Sequence, residues 1–180
     1  MADEAAQANR DKQILLQKIY LKDLSFESPR VPEIFGANIQ ASTQLNLGAK
    51  NRKLSEDTVE VTLTLTIESK DSTQTLFLIE VAQAGVFTLK GYSEQERAIL
   101  LGSFCPGTLY PYAREAVADL AQKGGFPQLL LQPINFDAVY SQALQERQAQ
   151  MEAASMPVSE SAPTALTPPG TGNSRSGETH

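Results

Sequence analysis

Residues Thr58–Glu68, TVEVTLTLTIE, limit the fold more than any other stretch of this chain. Val59, Val61, Leu63, Leu65 and Ile67 alternate with Glu60, Thr62, Thr64, Thr66 and Glu68. Successive strand side chains point to opposite faces, so a period of two with β-branched residues reads as a half-buried strand. Three neighbours read as strands beside it. Ile39–Leu47 alternates more softly. The polar stretch GAKNRKLSED after it supplies a connecting loop. Leu76–Leu89 is apolar on both parities near its start, and SKDST before it suits a hairpin turn. Ile14–Phe26 has Ile19 and Leu21 in phase and Leu24 and Phe26 shifted by one, which points to a bulge.

The second half of the chain changes period. Ser93-Glu94-Gln95-Glu96 is a capping box and starts a helix. Pro106 opens a second helical run, with Leu109, Ala113, Ala116, Val117 and Leu120 at helical spacing and Gly124-Gly125 as its stop. Asn135 caps a last helix, in which Phe136, Val139, Tyr140, Ala143 and Leu144 share a face. Strands followed by helices, not interleaved, argue an α+β fold: a four-stranded antiparallel sheet followed by long helices on one sheet face. The folded unit spans residues 14–153, between a loose N-terminus (1–13) and a disordered Pro/Ser/Thr-rich tail (154–180) too poor in apolar residues to offset its ordering entropy.

Much chemistry is excluded. The single histidine is His180, in the tail, so Ser-His, Cys-His and most zinc sites are ruled out for the folded part. Cys105 has no charged neighbour in SFCP and reads as a buried, unreactive thiol, and its being alone fits a reducing compartment. No glycine loop has phosphate-cradling spacing. The carboxylates Asp23, Glu27 and Glu80 read as solvated charge on the outer sheet face, ahead of a docking patch and well ahead of a glycosidase-like pair. No cofactor is expected. A net charge of −6 without a basic cluster disfavours nucleic acid and anionic membranes. No apolar run approaches a membrane span, and MADEAAQANRDKQ lacks the apolar middle of a secretory signal, so the cytoplasm is the expected location.

Two apolar features remain. Leu76 and Leu78 share a parity with Glu80, opposite Phe77, Ile79 and Val81; two apolar faces on one strand imply a second cover, either another subunit, by symmetry in a dimer or dimer of dimers, or a larger private core. The segment GFPQLLLQPINF (Gly125–Phe136) holds three leucines between two prolines, in a place where no helix or central strand fits.

Four segments carry a resemblance to a known family: IYLKDLSFESPRVPEIF (Ile19–Phe35), FLIEVAQAGVF (Phe77–Phe87), LYPYARE (Leu109–Glu115) and GGFPQLLLQPINFDAVY (Gly124–Tyr140). In this order, over about Ile14–Gln150, they resemble SecB, the bacterial protein-export chaperones. The Pro/Thr-rich tail departs from the short acidic tail of that family. The resemblance implies an ATP-independent holdase, not an enzyme. It implies a homotetramer, a dimer of dimers, that binds unfolded secretory precursors in the cytoplasm and delivers them to the SecA translocase ATPase. It places motor docking on Asp23, Glu27, Leu78 and Glu80. It places a client groove between Ser28–Phe35 and Gly125–Phe136, with Phe26, Ile34, Phe35, Phe126, Leu129, Leu131 and Phe136 as apolar candidates. The rival expectations are a carrier of a small hydrophobic ligand and a non-chaperone interaction scaffold.

Overall fold

A computed structural model describes residues 12–36, 40–71 and 74–155. Four strands form one antiparallel sheet: β1 (Gln13–Glu27), β2 (Ala41–Lys53), β3 (Thr58–Asp71) and β4 (Gln74–Lys90), in the spatial order β1-β4-β3-β2. A 3₁₀ turn, Glu33–Gly36, lies in the crossover between β1 and β2. Helix α1 (Glu94–Ile99) runs through a π-helical turn (Leu100–Phe104) into α2 (Cys105–Lys123), and α3 (Phe136–Ser155) follows a loop. The tail expected from residue 154 lies beyond the described residues from 156 onward, and Ile39 is also outside them.

β3 behaves as its pattern demands. Val59, Val61, Leu63, Leu65 and Ile67 are buried on the face that receives α2. α2 presents Leu109, Ala113, Val117 and Ala121 to that face, all fully buried. Each valine, leucine or isoleucine among them contributes about 1.5–3 kcal/mol relative to exposure, and each alanine methyl about 0.8 kcal/mol. The helix ends are set locally. Ser93 and Glu96 close the capping box at α1, and the Asn135 side chain accepts the Ala138 N–H at the start of α3.

β1 shifts register between Leu16 and Lys18 and again between Leu21 and Asp23. The second shift is the one that the phase change from Leu21 to Leu24 announces. Two expectations need correction. β2 does not stop at Leu47 but continues through GAKNRK to Lys53, which pairs with Val59. An edge strand needs only its backbone ladder, so polar side chains on both parities do not end it. Leu76 does not share the face of Leu78 and Glu80. A register shift between Ser69 and Lys70 leaves Leu76 without a Cα partner on β3. The bulge lets Leu76 and Phe77 both turn inward, and Leu76 is only 3% exposed within a single chain. Its burial therefore needs no second subunit.

Candidate functional site

Two surfaces gather the residues singled out in the sequence. The first is an aromatic cluster where the end of β1 and the start of β4 meet the 3₁₀ turn and the α2–α3 loop. Phe26 stacks on Phe77 at 6.2 Å between ring centroids, and Phe126 lies 4.7 Å from Phe77 and 6.2 Å from Phe26. Phe35, from the crossover, reaches Phe126 at 5.6 Å. Tilted and offset pairs at such distances are favourable beyond their area burial, by about 0.5–1.5 kcal/mol each. The cluster thus ties the crossover to the helix-connecting loop.

The loop is held by backbone chemistry. Gly125 has φ +82°, a left-handed conformation open to glycine, and Gly124 N–H donates to Leu120 O at 2.8 Å. Phe126 N–H donates to Ala121 O at 3.0 Å, which closes the helix end and sets the Phe126 ring over the cluster. Further on, Tyr110 Oη donates to Gln132 O at 2.6 Å and Arg114 donates to Leu131 O at 3.4 Å. Gly124 also makes room for the cluster, since a Cβ there would lie 2.2 Å from the Phe26 ring.

The groove candidates divide. Phe26, Phe126, Leu129 and Leu131 are half-buried at this surface, and Phe35 is 51% exposed. Ile34 and Phe136 are core residues instead; Phe136 sits edge-on to Tyr110 at 5.6 Å and beneath Gly107. Phe136, at the first position of α3, packs on α2, and its edge borders a separate depression with Gly107 and Thr108, away from the aromatic cluster. Two side chains join the surface unannounced. Leu130 is the most exposed leucine of the loop at 69%, and it borders a crevice of about 300 Å³ against Pro111 and Arg114 of α2. Phe77 floors the cluster. Nothing in the sequence separates it from an ordinary inward strand residue, and nothing in it singles out Leu130 among the three leucines as the most exposed.

The second surface is the sheet face turned away from α2. Register places Glu27 opposite Leu78, Ser25 opposite Glu80 and Asp23 opposite Ala82. Asp23, Glu27, Leu78 and Glu80 are therefore neighbours on two adjacent strands of one face. The bulge precedes Asp23, so Asp23 and Glu27 keep the same parity. Asp23, Glu27 and Glu80 are exposed, and Leu78 is half-buried.

No described residues form a cluster of histidine, cysteine or carboxylate groups that could hold a metal, and no described helix is long and apolar enough to cross a membrane. Burial pushes the Cys105 thiol up to about 12, which leaves it protonated at neutral pH.

The family model described as preprotein translocase subunit SecB matches residues 7–147. The chain belongs to the SecB family. It is 49% identical to the protein-export protein SecB of Methylococcus capsulatus over 154 residues, covering 86% of this chain and 98% of that protein. It is 50% identical to the protein-export protein SecB of Hahella chejuensis, covering 83% of this chain and 94% of that one. Among solved structures, a SecB-like chaperone of Mycobacterium tuberculosis, in complex with a peptide from an antitoxin, superposes with a TM-score of 0.58 at 18% identity, covering 72% of this chain and 95% of that chain. That likeness shows the same fold. With SecB relatives at about half identity over nearly their whole length, this chain is a protein-export chaperone and not an enzyme.

Proposed function

We propose that this chaperone is an ATP-independent holdase that captures unfolded secretory precursors in the cytoplasm, works as a homotetramer built as a dimer of dimers, and hands its clients to the SecA translocase ATPase. The observation that carries client capture is the aromatic surface: Phe35 and Leu130 are held exposed by a buttressed loop and crossover, beside half-buried Phe26, Phe126, Leu129 and Leu131. Large apolar groups held at the surface by backbone bonds and proline form a preorganised binding surface, because little ordering remains to be done on binding. Clients are recognised through short apolar segments. Capture of the unfolded state opposes folding by mass action, by about 2.7 kcal/mol when the chaperone stands at a hundred times the dissociation constant. Several such surfaces joined through one client chain raise the avidity without any tight single site, so release needs no nucleotide.

Docking to the ATPase uses the other sheet face, through Asp23, Glu27, Leu78 and Glu80. The cluster is acidic with one apolar centre, and it fits a basic, partly apolar segment. The test separates the two surfaces. Asp23→Asn with Glu80→Gln should weaken ATPase binding at least tenfold while the chaperone still slows refolding of an unfolded precursor. Loss of client capture in that variant, with ATPase binding intact, would overturn the assignment. Native mass spectrometry of the full chain reads the tetramer directly.

A further inference from the structure

The docking face does not end at its acidic cluster. Further along the same face the charge reverses. Lys18, Lys22, Lys50 and Arg52 stand there against only Asp23 and Glu60, whereas the other end holds Glu27, Glu80 and Glu68 against Lys70. A depression of about 520 Å³ opens at the basic end, lined by Lys22, Lys50 and Arg52 with Asp23, Glu60 and Thr62 between them. In a chain of net charge −6 this is a local positive pole.

The pole is built around one buried carboxylate. Glu60 is 3% exposed on a face otherwise open to solvent. Lys22 Nζ and Arg52 Nε both reach its Oε2 at 3.0 Å, and Tyr20 Oη donates to its Oε1. These bonds hold the two cations in place. Arg52 commits only Nε to Glu60, so its terminal Nη1 and Nη2 fork makes no hydrogen bond to the described residues, and the side chain is 69% exposed. Lys50, opposite Thr62, makes no ion pair among the described residues. A planar guanidinium fork beside an unpaired ammonium is a fitting receptor for a carboxylate.

We propose that the outer sheet face is a two-poled docking strip whose basic end, Lys22, Lys50 and Arg52 fixed by Glu60, takes an acidic stretch of the same partner segment whose basic, apolar stretch sits on Glu27, Leu78 and Glu80, with Asp23 between the two. This inference rests on the docking face proposed above and adds the register and polarity of what binds it. From the Glu80 row to the rows of Lys50 and Arg52 the strands advance four and six residues, about 13–20 Å, and two strand spacings add about 10 Å sideways. The poles are thus about 16–22 Å apart, which an extended peptide spans in about five to seven residues. Glu60 is a positioning residue: it touches the cations, not the partner.

The probe is a synthetic peptide with a lysine- and leucine-rich half, a short Gly-Ser spacer and a glutamate-rich half, beside a control in which glutamine replaces glutamate. Calorimetry with the full chain at low salt should show the glutamate peptide binding about five- to tenfold tighter than the control. Lys50→Gln, which breaks no ion pair and so leaves the fold intact, should remove most of that advantage. Glu27→Gln with Glu80→Gln, both away from the basic depression, should weaken both peptides and keep their ratio. Equal affinities for the two peptides, or a ratio unmoved by Lys50→Gln, overturn the basic pole. A ratio that holds while the acidic variants have no effect overturns the docking face instead, and leaves the basic pole standing.

Discussion

Gly124→Ala is the sharpest probe of the proposed client surface, because two effects of opposite sign compete there. Gly124 has φ −76° and ψ 0°, a conformation that alanine adopts without strain. On backbone grounds alone the substitution should stabilise the chain by about 0.4–1 kcal/mol, through fewer unfolded conformations. The structure reverses the sign. The added Cβ would lie 2.2 Å from Cζ of Phe26 and 2.7 and 2.9 Å from its Cε atoms. Carbon–carbon contacts settle near 3.5–4.0 Å, so the ring or the helix end must move by about 1.5 Å. The ring cannot swing away cheaply, since Phe77 and Phe126 pack on it. Overpacking of this kind costs about 1–3 kcal/mol. The net expectation is a loss of about 1–2 kcal/mol, or roughly 2–8 °C in Tm for a chain of this size. Thermal unfolding by near-ultraviolet circular dichroism would measure it, and a refolding assay with an unfolded precursor should show weaker capture. Phe26→Leu removes the ring atoms in the way, so the double variant should lose less than the two single losses added together. A Gly124→Ala variant as stable as its parent, or strictly additive losses in the cycle, would refute the packing argument.

Other outcomes follow from single residues. Tyr20 first, then Lys22, hold the Glu60 carboxyl below its ordinary range against the opposing effect of burial. A depressed folded value means the stabilisation is complete above the unfolded value near 4.3 and fades as pH falls through the folded one. Glu60→Gln should therefore lower Tm at pH 7 by the loss of about 1–2 kcal/mol, and the gap to the parent should close as pH is taken below about 4; a gap that widens in acid would contradict this. Leu130→Ser, at an exposed position, should change stability by under about 0.5 kcal/mol yet weaken client capture about threefold or more; unaltered capture would remove Leu130 from the surface. Cys105 should resist a thiol reagent at pH 8 until denaturant is added, and rapid labelling of the folded chain would show that its burial is not maintained.

Much of this arrangement is legible in the sequence where one physical rule acts alone. The alternation in β3, the capping box at Ser93, the Asn135 cap and the glycine stop at 124–125 each depend on neighbours within a few positions, and each stands where local chemistry puts it. The reach of β2 was hidden because an edge strand is defined by pairing with Val59–Asp71, not by its own side chains. The inward turn of Leu76 was hidden because a bulge resets parity without leaving a mark in composition. At the aromatic surface, Phe26, Phe35 and Phe126 stand out as aromatics in loops or at strand ends, while Phe77 looks like any core residue until the loop descends on it.

The sequence by itself determined the strand-then-helix order, the helix starts at Ser93 and Asn135 and the helix stop at Gly124, the absence of histidine chemistry from the folded part and, through four motifs, the SecB family. Only the tertiary structure decided which apolar residues go into the core, as Ile34 and Phe136 do, and which stay at the surface, as Phe35 and Leu130 do. It also decided that Asp23, Glu27, Leu78 and Glu80 are neighbours, and that Glu60 gathers Lys22 and Arg52 from two different strands. The reason is one of range. Propensity and capping act over one or two turns of chain, whereas burial and charge pairing are settled by register between strands distant in sequence, and a single bulge changes which side of the sheet a residue faces.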